Sequence, residues 1–187
     1  MCWSDCIHVP RVMRMVRKHK PMSVLDVGIG FGKWGYLFRE ALDASNGHPL
    51  PDQWESQIDG VEIFEDYIGK PQKAVYDKIY IGDICELVET MGDYDMIFSA
   101  DVIEHIEKLQ ALWLIGEMLK KCKWLLLLVP IGPTWYGPER FLNGNINEAH
   151  LSIWNDNEFD SIESHVENLG DNPHGYYLLQ GGSDGSV

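Results

Sequence analysis

VLDVGIGFGKWG, residues 24–35, decides the fold. Its first half is apolar and β-branched, as a buried strand requires. Its second half spaces glycines at Gly28, Gly30 and Gly32, after which the pattern turns helical as far as Leu42. Glycine lets the backbone bend tightly and bring its N–H groups close to a ligand with no Cβ in the way. A dinucleotide fingerprint, GxGxxG, would need its third glycine at position 33, which is Lys33. The actual spacing is GxGxG, with Asp26 two residues before it, and that suits a nucleoside cofactor without a pyrophosphate.

Outward from this stretch, strands and helices alternate. Val12, Met15 and Val16 recur at helical spacing after Pro10 and predict a first helix ending near Pro21. Residues 43–55, DASNGHPLPDQWE, are rich in turn formers and read as a long loop. IDGVEI (58–63), KIYIGD (78–83) and YDMIFSA (94–100) read as the second, third and fourth strands. A helix is predicted from about Glu104 to Lys121, with Ile106, Leu109, Leu112, Trp113, Ile115 and Leu119 inward and Glu107, Gln110, Glu117 and Lys121 outward. KWLLLLVP (123–130) is nearly unbroken in its apolarity, as expected of a parallel strand covered on both faces. After a connection rich in Gly, Pro and Asn and a short helix near Trp154–Phe159, SIESHVEN (161–168) and GYYLLQG (175–181) read as a closing pair of strands. The economical arrangement is α/β: a doubly wound, mostly parallel seven-stranded sheet with an antiparallel terminal strand.

Composition narrows the function. The 187 residues suit one domain, and 45% hydrophobic with 24% charged residues is ordinary for a soluble globular protein. No apolar run reaches the roughly 20 residues that cross a bilayer. The start, MCWSDCIHVPRVMR, lacks the basic-then-apolar order of a secretory signal, so a cytoplasmic location is expected. A net charge of −14 disfavours nucleic acid, whose phosphates need basic partners. Arg11, Arg14, Arg17, Lys18 and Lys20 are a local exception, read as a solvated helix face or, alternatively, a dock for an acidic partner. Cys2, Cys6, Cys85 and Cys122 form no CxxC pair and no zinc-type spacing with histidine, so no metal site is expected.

In a sheet of this kind ligands sit at the carboxyl ends of the strands. Those ends carry Asp26, Glu62, Asp83 and the Ser99–Asp101 stretch. Glu62 can accept both hydroxyls of a ribose; the alternative is a solvent-facing glutamate at a strand end. Asp83 can accept from an adenine amino group while Ile84 packs on the ring; the alternative is a turn or N-cap aspartate. Three carboxylates and a glycine turn at successive strand ends are hard to attribute to chance.

VLDVGIGFGKWG, DGVEIFEDY, YIGDI and YDMIFSADVIEHI resemble, in that order, the successive motifs of class I S-adenosylmethionine (AdoMet)-dependent methyltransferases. The likeness covers roughly residues 22–130, and DVIEHI is similar to the small-molecule methyltransferases of that family. It implies AdoMet as cofactor, S-adenosylhomocysteine (SAH) as product, and contacts at Asp26, Gly28, Gly30, Gly32, Glu62, Asp83, Ile84, Ser99 and Asp101. Asp26 and Glu62 lie 36 positions apart, against about 20 in comparable folds, an excess assigned to the 43–55 loop. The resemblance divides a single domain into an N-terminal helix (1–21), a cofactor core (22–130), a substrate lid (131–154), the strand pair (155–181) and a flexible tail (182–187).

Methyl transfer is an in-line displacement, to which an enzyme contributes mainly alignment. An alcohol or phenol acceptor also needs a base, and the candidates are His105, after the fourth strand, and His150, in the lid. Each has a structural alternative, bracing the helix start or holding the lid down. Trp135, Tyr136, Asn143, Asn145, Asn147, Glu148 and Trp154 accompany His150, an aromatic and amide-rich set suited to a polar organic ligand. The expected acceptor is a small molecule methylated on O or N. SADV (99–102) stands where base-amino methyltransferases of the family carry an NPPY-type tetrapeptide. The rival readings are an NAD(P)-dependent oxidoreductase and a non-catalytic AdoMet-binding partner protein.

Overall fold

The computed structural model describes residues 5–133, 145–167 and 173–182. Among these residues twelve longer elements follow in order: α1 (Val9–His19), β1 (Ser23–Val27), α2 (Lys33–Leu42), β2 (Gln57–Glu62), α3 (Lys70–Val75), β3 (Lys78–Ile81), α4 (Ile84–Leu87), β4 (Tyr94–Ala100), α5 (Lys108–Lys120), β5 (Cys122–Pro130), β6 (Glu163–Glu167) and β7 (His174–Gln180). The strands form one seven-stranded sheet in the order β3-β2-β1-β4-β5-β7-β6. The first five are parallel, and β7 runs antiparallel to both β5 and β6. Chain order reverses at β1, which pairs with β2 on one side and β4 on the other. A crevice opens at such a switch point.

Alternation along the strands feeds two cores. Leu25, Val27, Ile97, Leu125, Leu127 and Tyr177 pack under α4 and α5, while Val24, Phe98, Leu126, Leu128, Tyr176 and Leu178 pack under α1, α2 and α3. β5 is buried on both faces from Leu125 to Pro130, which explains its unbroken apolar sequence. Arg14, Arg17 and Lys18 of α1 are exposed, Arg11 is half-buried over the Tyr176 ring, and Lys18 pairs with Glu163 of β6 at 2.6 Å. No helix among the described residues is long and apolar enough to cross a membrane.

The predicted helix over 104–121 needs correction. Ile103–His105 is a 3-10 turn, and α5 starts only at Lys108, with Glu107 as its N-cap. Its buried face is Ala111, Leu114, Ile115 and Met118, whereas Leu109 (82%), Leu112 (44%) and Trp113 (41%) are exposed. The segment is apolar nearly all round, so two stripes satisfied the same periodicity. The 43–55 loop contains two 3-10 turns, and the short helix expected near 154–159 is a 3-10 turn at Asp156–Glu158. Cys85 and Cys122 are free thiols pushed up to about 12 by burial, acting as small apolar side chains. Cys2 and most of the predicted tail lie outside the described residues.

Candidate active site

The glycine turn is held from three sides. Gly28, Gly30 and Gly32 all take positive φ (78°, 48° and 80°), a region that side chains resist. A Cβ on Gly28 would meet Val102 Cγ2 at 2.5 Å, so this position also demands the missing side chain. Gly28 and Ile29 donate their N–H groups to the Val61 carbonyl (2.9 and 3.1 Å). The Glu62 carboxylate accepts from Gly30 N–H (2.9 Å) and Phe64 N–H (3.0 Å), clamping the turn to the end of β2. Gln72 donates to the Gly30 and Tyr67 carbonyls (2.6 and 2.7 Å). Beneath the turn, Tyr76 Oη donates to Asp26 Oδ2 (2.6 Å) and accepts from Gly35 N–H (3.1 Å).

Above this turn lies a cavity of about 320 Å³ at the strand tips. Gly28, Gly30, Glu62, Asp83, Ile84, Asp101 and His105 line it; Asp26, Gly32, Ser99 and His150 do not. Asp26 sits below the end of β1, 1% exposed, with Oδ1 unpartnered among the described residues. Gly32 faces Gln72 and Tyr76. Ser99 is buried within β4 between Val27 and Leu127, one step short of the tip. Asp101 follows the last residue of β4, and its φ of +54° is uncommon for a residue with a side chain. Its N–H donates to Leu128 O (2.9 Å), and Oδ1 lies 3.3 Å from His174 Nε2. Asp83 fulfils its N-cap alternative, accepting from Cys85 N–H (2.8 Å), while also lining the cavity.

Low dielectric tunes these charges. Burial pushes the Asp26 carboxyl up to about 7, against the Tyr76 hydrogen bond and helped by the nearby Glu62. Burial raises Glu62 as well, opposed by the Phe64 and Gly30 N–H groups. Lys33, also on the cavity wall, is lowered by burial.

The opposite wall comes from the segment that starts at residue 145. Asn145, Asn147 and Glu148 line it, and Tyr67 Oη bridges to it, donating to Glu148 Oε1 (3.0 Å) and accepting from Asn145 Nδ2 (3.4 Å). Trp154, expected near the ligand, is instead fully buried against Phe159, with the Lys108 ammonium 3.4 Å from its ring centre. Trp135, Tyr136 and Asn143 lie outside the described residues. His105 stands on the cavity wall with Nδ1 3.1 Å from Ala149 O, and the His150 ring meets it edge-on at 4.9 Å. Glu104, 2% exposed, lies beside them. Donor atoms of Glu104, His105 and His150 all fall within 4.8 Å of one another, a grouping no spacing rule found because 45 residues separate the histidines.

Sequence reasoning missed Lys33, Tyr67, Glu107 and Gln110 as cavity residues. Lys33 stands out in the sequence only for breaking GxGxxG, while Glu107 and Gln110, expected to face outward, are exposed and also border the cavity. Lys33, inside the glycine motif, and Tyr67, at the end of DGVEIFEDY, carry a usable signal.

The same architecture recurs in solved structures. The N-terminal domain of EvdMO1, solved in the presence of SAH and D-fucose, aligns with a TM-score of 0.63 at 14% identity over 96% of this chain and 85% of that one. Magnesium protoporphyrin IX methyltransferase (ChlM) from Synechocystis, with bound SAH, aligns at 0.59 and 16% identity over 93% of this chain and 82% of that one. This is the class I methyltransferase fold. TehB from Haemophilus influenzae shares it, at 0.63 and 14% identity over 92% of this chain and 62% of that one. No protein-family model and no curated protein sequence matches the chain. Within the class I methyltransferase fold, β7 between β5 and β6 closes the sheet, and the cavity lies over the β1–β4 switch point.

Proposed function

We propose that the protein is an AdoMet-dependent methyltransferase that transfers a methyl group to oxygen or nitrogen of a small-molecule acceptor. One observation carries the reading: a single cavity joins the glycine turn, Glu62, Asp83 and Asp101, the polar groups of four strand tips. The residues present fit the cofactor. The turn brings backbone to the cavity floor where a Cβ would collide, and Lys33 offers a cation to the amino-acid carboxylate. Glu62 uses one lone pair per oxygen for Gly30 and Phe64, leaving the others for ribose hydroxyls. Asp83 and Ile84 share the cavity wall and would receive the adenine, Asp83 accepting from its amino group and Ile84 packing on the ring. Asp26 acts through Tyr76 and the turn rather than by contact.

AdoMet supplies an electrophilic methyl on a sulfonium centre. The protein's part is to align an acceptor against it, with Tyr67, Asn145, Asn147, Glu148 and Gln110 providing polar contacts on the facing wall. His105 is on that wall and His150 behind it, so His105 is the better placed of the two histidine candidates to reach an acceptor. The −14 charge favours a small molecule over nucleic acid, and free thiols at Cys6, Cys85 and Cys122 agree with a cytoplasmic enzyme.

Calorimetric titration with SAH tests the reading. One site per chain is expected, and Glu62→Ala should weaken it by roughly tenfold to a hundredfold, the loss of charge-assisted hydrogen bonds. NAD and NADP should give no heat. Tight NAD binding, or no SAH binding by folded protein, would overturn it.

A further inference from the structure

The geometry assigns a divalent transition-metal site to Glu104, His105 and His150, at the acceptor edge of the cavity, where the ion would hold and activate an acceptor hydroxyl. The function of the site rests on the methyltransferase reading; its existence does not.

Four observations converge. First, the donor atoms lie within 4.8 Å of one another. Ligands about 2.1 Å from one ion lie at most about 4.2 Å apart, so small side-chain rotations close the set. Second, His105 is oriented as a ligand. With Nδ1–H donated to Ala149 O (3.1 Å), its Nε2 presents a lone pair, 3.9 Å from Glu104 Oε1. A backbone carbonyl on the far ring nitrogen is how metal-binding histidines are usually fixed. Third, Glu104 is 2% exposed, yet Oε2 has no hydrogen-bond partner among the described residues, and its ion-pair partner there is His105 alone. A buried carboxylate this poorly satisfied is costly unless a cation completes it. Fourth, the lid is pinned on both sides of His150. Leu151 and Ser152 donate N–H groups to Glu104 O (2.8 and 3.0 Å), Ser152 Oγ donates to Ile103 O (3.1 Å), and Ala149 is held by His105.

Two imidazoles and one carboxylate favour a first-row transition ion over magnesium or calcium, and three protein ligands leave coordination positions open. His105 faces the cavity, so an open position is within reach of an acceptor. A hydroxyl bound there becomes more acidic and loses its proton to solvent. Its oxygen then forms a C–O bond to the methyl as the C–S bond breaks, both electrons of which stay on sulfur. The two histidines, separate base candidates by sequence, thus act as one unit with Glu104.

The test titrates chelator-stripped full-length protein with Co²⁺ and follows visible absorption. One tightly bound Co²⁺ per chain, displaced by Zn²⁺, is expected. His150→Ala and the near-isosteric Glu104→Gln should each weaken Co²⁺ binding at least about tenfold. Metal-free SAH affinity should stay within about twofold of wild type in both, which also reports that they fold. Wild type gives an answer without any variant, because two paramagnetically shifted imidazole N–H resonances should appear with Co²⁺. Absence of stoichiometric Co²⁺, absence of those resonances, or unchanged affinity in folded variants would overturn the site. SAH binding without Co²⁺ binding refutes the metal alone, whereas Co²⁺ binding without SAH binding refutes the methyltransferase reading alone.

Discussion

Buried charge around Arg39 is handled differently from buried charge at Asp26 and Glu104. At the amino ends of the strands, Arg39 is 3% exposed and every guanidinium nitrogen is used. Nε donates to Val75 O, Nη1 to Asp43 and Ser56, and Nη2 to Asp77, with the group stacked over Trp54 at 4.2 Å. Asp43 in turn accepts from the N–H groups of Glu55 and Ser56 and from Ser56 Oγ. At the carboxyl ends, Asp26 Oδ1 and Glu104 Oε2 are equally buried and have no partner among the described residues. A closed network ties the 43–56 loop to α2 and to the start of β3; an open one leaves buried polar atoms unsatisfied, at a cost in stability. The contrast separates residues that make the fold from residues that make the site.

The largest effect should come from breaking the closed end. Arg39→Met takes the guanidinium from Asp43 and leaves it only its hydrogen bonds from Glu55 and Ser56, and removing one partner of a buried pair costs about 3–5 kcal/mol. The thermal midpoint should fall by about 10 °C, with SAH affinity of the folded protein kept within about threefold. A fall below about 2 °C would mean the network is ornamental, and a parallel loss of SAH affinity would erase the distinction between the ends.

How much of this was legible follows from what each feature depends on. The strands announced themselves because VLDV, IDGVEI, YDMIFSA and LLLLV are locally apolar and bounded by turn formers. The strand-tip acids were visible because topology puts every carboxyl end at one edge. What failed depended on tertiary contact. The face of α5 was ambiguous because Leu109, Leu112 and Trp113 offered a second apolar stripe. Asp26 and Ser99 fell one residue short of the cavity, an offset set by where each strand stops. The roles of Arg39 and Tyr76, and the meeting of Glu104 with His150, depend on side chains far apart in the chain. No local pattern encodes them.

A smaller effect tests the open end. Asp26 carries a folded-state value near 7 against an ordinary 3.8, so the folded protein holds this proton more tightly than the unfolded chain. Its favourable contribution is complete below 3.8 and fades as pH rises through about 7. Asp26→Asn keeps an acceptor for Tyr76 Oη and cannot ionise. Relative to wild type it should gain up to about 3 kcal/mol between pH 5 and 8, read from denaturant titrations at each pH. A gap that does not change with pH would show that Asp26 is not a stored charge. Because Asp26 does not line the cavity, SAH affinity should fall less than in Glu62→Ala.

An effect of similar size but opposite sign in pH lies where the carboxyl ends meet the N-terminal segment. His8 is fully buried, bonds Tyr176 Oη through Nδ1 and packs on His174 at 4.7 Å, which itself reaches Asp101. Burial and then the charge of His174 lower it to about 4; Asp101 and Asp5 pull the other way, and Lys33 adds slightly to the lowering. Between about 4 and 6.5 the unfolded chain therefore holds a proton that the folded protein refuses. Stability from His8 is present above 6.5 and drains as pH falls toward 4, by about 1.4 kcal/mol per unit. His8→Asn should match the wild-type slope above pH 7 and show a shallower loss below 6.5, one proton less per molecule unfolded. Identical slopes in acid would mean that His8 takes up its proton without leaving the fold, and the contact with Tyr176 would then be a yielding one.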